Sequence, residues 1–193
     1  MLLIGFGHKA RQGKDTAAVA MINASHIDAR ARIFKYADAL RLEVSKLCRE
    51  YGGAEQLIRT WHEVPLRGVL MPAWVGYEML KPRLLLQWYG TDYRRAADED
   101  YWVKRLDEQL AKEQPDVALI TDVRFPNECE HIHRLGGYLV KVTRTTPPDL
   151  KVPEHASEKA LDGYTGWDYQ IASGSLKDLH KQAADIYRKI VKL

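Results

Sequence analysis

The chain has 193 residues, of which 46% are hydrophobic, 28% charged and 9% aromatic, which excludes disorder, collagen and simple repeats. The net charge of +3, with seven histidines counted neutral, suits a phosphorylated small molecule and does not by itself argue for nucleic acid. No apolar run reaches the roughly 18–20 residues that span a bilayer. The opening MLLIGFG has no basic leader, so no signal peptide is expected. Two cysteines, Cys48 and Cys129, build neither a disulfide framework nor a four-cysteine zinc site. One domain over 1–193, reduced and cytoplasmic, is the expectation.

In chain order, Leu2–Phe6 reads as a buried strand and the Gly/Lys/Arg-rich segment 7–13 as a loop. Ala17, Ala18, Ala20, Met21 and Ile22 favour a helix, and Ile33–Tyr36 a second strand, with Asp38 placed to cap the helix after it. Leu40, Val44, Leu47, Cys48 and Tyr51 give that helix one apolar face, which Gly52-Gly53 ends. Residues 54–81 read as an irregular, partly helical insertion. Pro82 opens a helix with Leu84, Leu85, Gln87 and Trp88, and another helix fits 98–113, with Asp98 as cap. Val117–Asp122 is a near-continuous apolar run ending in an acid, the pattern of a buried parallel strand. Pro126 opens a helix that Gly136-Gly137 closes, and Tyr138–Val142 is a further strand. Residues 144–165 read as a mobile, lid-like loop, Tyr169–Ala172 as a last short strand, and Leu176, Leu179, Ala183, Ile186 and Ile190 as the stripe of a C-terminal helix. Alternating strands and helices predict an α/β fold with a central parallel sheet.

The segment Gly7-His8-Lys9-Ala10-Arg11-Gln12-Gly13-Lys14-Asp15-Thr16 follows a strand and opens a helix, the context of a phosphate-binding loop. Its backbone N–H groups and the helix N-terminus suit phosphate oxygens, and Lys14 adds a point charge for the β/γ-phosphates. Lys9, Arg11 and Gly13 join Lys14 as the donor-side set. The pattern is altered: His8 stands where the first glycine is usual, and Asp15 where a hydroxyl residue is. Asp15 is a candidate for Mg²⁺, directly or through water, and Thr16 for the α-phosphate. A basic turn that merely caps a helix is the competing reading.

Asp122 ends a buried strand, where open α/β sheets place their ligand crevice. It suits a magnesium-bound water as well as it suits a structural ion pair, and Arg124 follows two residues on. Arg41, with Asp38, suits a monoester phosphate or a solvated helix surface. Gly90–Arg95 reads as a glycine-containing turn with an acid and two guanidiniums, able to hold a phosphate or sugar hydroxyl or simply to be charged surface. Arg144 enters the lid-like loop, placed to close on a transferring phosphoryl group or to stay solvated. His155, Ser157 and Glu158 read as a capping box as much as a site. His131 and His133 read as surface positions, and the tryptophans chiefly as packing.

Taken together and in this order, GKDT at 13–16, Tyr36–Arg41, Gln87–Arg95 with Gly90-Thr91-Asp92, Trp102, Asp122–Glu128 and His155–Glu158 resemble the deoxynucleoside monophosphate kinases of tailed bacteriophages. The resemblance runs from residue 2 to about 180, and the segment 54–81 departs from it. It implies a P-loop kinase fold with an inserted acceptor-binding region, 52–97, and a lid, 144–165. It implies transfer of the ATP γ-phosphoryl group to a (deoxy)nucleoside monophosphate with Mg²⁺, in the host cytoplasm for a phage-encoded chain. Carried over by position, Lys14, Asp15 and Thr16 hold ATP and magnesium; Asp122, read from its place at a strand end, is the second metal candidate. Asp38, Arg41, Gln87, Asp92, Arg95 and Trp102 hold the acceptor, and Arg124 and Arg144 balance charge in transit.

Such chemistry needs positioning and charge neutralisation more than covalent help, which fits a candidate site of Lys, Arg, Asp and Gly. Rival readings are a P-loop kinase for another phosphorylated acceptor, such as phosphomevalonate, and a nucleotide-binding ATPase without an acceptor. A nucleic-acid module would need a continuous basic face, whereas acids are interspersed throughout. Neither nucleic acid nor membrane is expected as a partner. An apolar helix face within 54–90 fits a homodimer contact or packing on the core.

Overall fold

A computed structural model describes residues 1–24, 30–53, 57, 82–145 and 155–192. The insertion read over 54–81 lies outside the described residues except for Leu57, as do residues 146–154 of the lid-like loop, Trp61 and Trp74. The described elements are β1 (Leu2–Gly7), α1 (Lys14–Ala24), β2 (Ala31–Phe34), α2 (Tyr36–Glu50), α3 (Pro82–Gln87), a π-helix (Trp88–Arg95), α4 (Tyr101–Glu113), β3 (Val117–Val123), α5 (Pro126–Arg134), β4 (Tyr138–Arg144), α6 (Ala156–Lys159), β5 (Tyr169–Ser173) and α7 (Leu176–Val191). The chain divides into two compact units, Met1–Tyr36 with Leu106–Leu193, and Ala37–Arg105.

In the first unit all five strands are parallel, in the order β2-β3-β1-β4-β5. β1 pairs with β3 from Leu2↔Val117 to Gly7↔Val123 and with β4 from Ile4↔Tyr138 to Gly7↔Lys141. Strands inside such a sheet are covered on both faces, so β1 and β3 are almost wholly apolar and buried, as their sequences predict. One face is covered by α1 and α7: Ala17, Ala18 and Met21 meet Leu179, Ala183 and Ile186 over Ile4, Phe6 and Val140. The small side chains of α1 let helix and sheet approach closely. Leu176, assigned to the buried stripe of α7, is instead 63% exposed. This arrangement is an α/β fold of the P-loop NTPase kind. Its parallel strands deliver the segments after β1, β2, β3 and β4 to one edge of the sheet, where β1 is flanked by β3 and β4, a switch in chain direction that favours a ligand site.

Several sequence readings are corrected here. β2 ends at Phe34 and α2 begins at Tyr36, so Asp38 lies inside the first helical turn and is not its cap. Gly90–Arg95 is no turn but part of the π-helix, a widened coil that is enriched at functional sites. Residues 155–165 are not simple loop: in keeping with the capping reading of His155, Ser157 and Glu158, the short helix α6 is capped by His155, whose Nδ1 accepts the Ser157 N–H. His131 is 1% exposed, not a surface residue, and its ring lies between Tyr36 Oη (3.2 Å) and Asp107 Oδ1 (2.8 Å).

The second unit holds most of α2, then α3, the π-helix and the start of α4. Gly52 and Gly53 close α2 by donating to Arg49 O and Cys48 O. Trp88, Tyr89, Tyr93 and Trp102 are buried, the last donating its indole N–H to Gly90 O at 2.9 Å.

Candidate active site

The phosphate loop joins β1 to α1 through three residues with positive φ: His8 (91°), Arg11 (59°) and Gly13 (98°). A positive φ at His8 is costly for a side chain with a Cβ, which is the physical reason that a glycine is usual there. Gly7, just before, has no room for a Cβ: the ring of Trp167 occupies that space. Lys14 is 7% exposed, and its Nζ donates to the carbonyls of His8 (3.0 Å) and Lys9 (2.6 Å), so the ammonium sits inside the loop that it follows. Burial, with the positive charge of Arg124 second, pushes its pKa down to about 8 against the pull of Glu158, Asp122 and Asp15. A buried cation with lowered pKa at the start of a helix, held by two loop carbonyls, is suited to receive an anion.

Around it the strand ends assemble charged partners. Asp15 Oδ1 accepts from Thr121 Oγ1 at 2.6 Å and pairs with Lys35 Nζ at 2.7 Å. Burial would raise the Asp15 carboxyl, but hydrogen bonds from Lys35 and Thr121 and the charges of Lys35 and Lys14 hold it below the ordinary range. Asp122 Oδ1 accepts the Tyr36 N–H at 2.9 Å. Arg124 donates to Glu158 Oε1 at 2.6 Å, and its own backbone N–H is held by Glu128 Oε2 at 2.7 Å. Arg144 is exposed, and its backbone N–H donates to Gln12 Oε1 of the phosphate loop at 2.6 Å. Lys9 pairs with Asp162 at 3.1 Å, and Arg11 is exposed. Thr16 occupies the first turn of α1.

The expected acceptor residues lie in the second unit. Arg41 pairs with Asp38 at 3.3 Å on the exposed first turns of α2. Asp92 is exposed, and Arg95 is 9% exposed on the π-helix that Gln87 precedes. Trp102 is buried with its N–H engaged, so it supports the π-helix and does not offer a free face. This unit is organised around Glu43. Its Oε2 accepts from Tyr89 Oη (3.1 Å) and Arg94 Nη2 (2.9 Å), and its Oε1 from Tyr101 Oη (2.5 Å) and Arg105 Nη2 (3.3 Å). Arg94 also lies 4.6 Å from the ring centroid of Tyr101 and 5.1 Å from that of Tyr89. Burial alone would raise the Glu43 carboxyl, but the Tyr101 hydrogen bond and the Arg94 charge hold it below the ordinary range.

Comparison with known proteins shows the family. The family model for deoxynucleotide monophosphate kinase matches residues 75–183, more than half of the chain. The chain belongs to this family. The matched span carries Asp92, Arg95, Trp102, Asp122, Arg124, Arg144 and Glu158 but not the phosphate loop. The deoxynucleoside-5'-monophosphate kinase of Escherichia phage T5 is 50% identical over 88 residues, 42% of this chain and only 35% of that protein's length. A protein of Acanthamoeba polyphaga mimivirus, provisionally named a deoxynucleotide monophosphate kinase, is 27% identical over 99% of this chain and 95% of its own. The resemblance read from the sequence is thus to the family that the comparisons show, and membership implies a nucleotide phosphoryl donor. Among the described residues no helix is long and apolar enough to cross a membrane.

Sequence reasoning missed Lys35, Thr121, Gln12 and Glu43, and it left Glu158 undecided. Thr121 precedes Asp122, which was selected, and Lys35 precedes the segment Tyr36–Arg41 that carried part of the resemblance. Glu158 lies in one of the segments that carried the resemblance. Glu43 gave no signal, because an acid in mid-helix normally reads as solvated surface.

Proposed function

We propose that this chain transfers the γ-phosphoryl group of ATP to a deoxynucleoside monophosphate, giving the diphosphate. The observation that carries this reading is Lys14: a buried ammonium with lowered pKa, held inside a strand–loop–helix phosphate cradle in a chain of this family. Lys14 and the loop amides bind the donor's phosphates, a role that Gly13 and Thr16 support. Arg124 balances charge on the phosphoryl group in transit, and Arg144 closes on it from the end of β4. Asp38, Arg41, Gln87, Asp92 and Arg95 form the acceptor side, with Trp102 bracing the π-helix. The acceptor phosphate is already an anion at pH 7, so no strong general base is required.

Magnesium fits the residues present. Among the described residues no group of three or more His, Cys, Asp or Glu is arranged to hold a metal, but Mg²⁺ on a nucleotide needs only one or two carboxylates and keeps several waters. Asp15 and Asp122 supply these, and both Thr121 and Lys35 engage Oδ1 of Asp15, leaving Oδ2 outside those two contacts. Bound there, the ion would neutralise phosphate charge. Residues 52–97 form the acceptor region and 144–165 the lid in this reading. The test is ADP release with Mg-ATP and a panel of ribo- and deoxynucleoside monophosphates. Release that rises strongly with one or more deoxynucleotides is expected. Release indifferent to every acceptor would mark an ATPase, and release with phosphomevalonate alone would mark a different acceptor.

A further inference from the structure

α6 is a single turn, yet its Glu158 reaches into the phosphate loop. The side chain is 9% exposed. Oε2 accepts the backbone N–H of Ala10 at 2.9 Å, and Oε1 accepts from Arg124 Nη1 at 2.6 Å. Arg124 also donates to Ser157 O at 3.4 Å, which ties it to the same turn. Glu158 is among the charges that act on Lys14. Ala10 N–H is a mid-loop amide of the kind that cradles phosphate, and Arg124 is the guanidinium at the end of β3. A carboxylate offers both donors the charged oxygen pair that a phosphate would offer.

We infer that Glu158 is a further positioning residue of the donor site: an internal anion that stands where phosphate oxygens go. It holds Ala10 and Arg124 ready before the donor binds and yields them when the donor arrives. This inference rests on the reading of residues 7–16 as the donor site. Phosphate and carboxylate carry like charge and cannot both remain on these donors at close range. Binding therefore selects the form from which Glu158 has withdrawn, and the apparent affinity falls by the fraction of chains in that form. A latch populated about ten to one weakens donor binding about tenfold. A purely structural ion pair would act in the opposite sense, since its loss would loosen the loop and weaken binding.

The test is calorimetric titration of the full chain with pyrophosphate, in wild type, Glu158→Gln and Glu158→Asp, each with its thermal midpoint recorded. The aspartate is one methylene shorter, which draws its carboxylate back from Ala10 and Arg124 while keeping the charge. Both variants are expected to bind pyrophosphate more tightly than wild type, Glu158→Gln by about tenfold. The Ala10 amide resonance is expected to differ between free wild type and free Glu158→Gln and to coincide once both are saturated. Binding that is unchanged or weaker in the variants, or Ala10 resonances that stay apart at saturation, would overturn the latch. Lys14→Ala, run alongside, separates the two layers. If it binds pyrophosphate as tightly as wild type, or if no form binds at all, the donor-site reading fails and the latch with it.

Discussion

The unit built on the sheet and the unit built on α2, α3 and the π-helix solve their tasks differently. In the first, the arrangement is set by backbone: a loop with three positive φ angles, and side chains delivered by parallel strand ends. In the second, it is set by side chains: one carboxylate, Glu43, ties two tyrosines and two arginines around the π-helix. Backbone-built sites depend on local rules of sequence, and side-chain-built sites on which helix faces meet. If the first unit holds the donor and the second the acceptor, as proposed, the first should fail by losing chemistry and the second by losing order.

Lys14→Ala sharpens this contrast most. It should lower kcat/KM at least 100-fold, about 2.7 kcal/mol of transition-state stabilisation, with circular dichroism unchanged. Wild-type rates in a folded variant would remove Lys14 from the site. The pH profile examines the same residue. Lys14 carries its charge below its pKa of about 8 and loses it above. The kcat/KM for ATP at low donor concentration should accordingly fall by about tenfold per pH unit above that value. A profile flat to pH 10 would contradict it.

Glu43→Gln should act on order. It removes the negative charge that Arg94 and Arg105 face and leaves one amide oxygen where two carboxylate oxygens served four donors, costing about 2 kcal/mol, or about 4–8 °C in Tm. A loss of activity without a loss of Tm would show that Glu43 is chemical and not organising. Arg41→Ala should raise the KM for the monophosphate about tenfold and leave the KM for ATP unchanged. An effect on ATP alone would move the acceptor site elsewhere. Two alanines complete the contrast. The Cβ of Gly7→Ala would meet the flat ring of Trp167, whereas that of Gly90→Ala would lie 2.8 Å from a terminal methyl of Leu40, which can rotate away. Chemical denaturation should show a cost of about 1–3 kcal/mol for Gly7→Ala and less than about 1 kcal/mol for Gly90→Ala. Equal costs would mean that the two units are equally rigid.

The sheet was legible in the sequence because buried parallel strands are near-continuous apolar runs. The phosphate loop was legible despite His8 and Asp15 because Gly13-Lys14 sits between such a strand and a helix. The π-helix was not, since Gly90-Thr91-Asp92 carries the composition of a turn and only packing widens the coil. His131 read as surface because no local pattern reveals that Tyr36 and Asp107 meet it from two other helices. The same holds for Glu158: its contact with Ala10 spans 148 positions, and no spacing rule reaches that far.

The most direct test of the account is the transfer of labelled phosphate from γ-labelled ATP, with magnesium, to each deoxynucleoside monophosphate, with product identified for wild type and Lys14→Ala. The account predicts label in the deoxynucleoside diphosphate for wild type and its near disappearance in the variant. Label released as inorganic phosphate, equally with and without an acceptor, would contradict it.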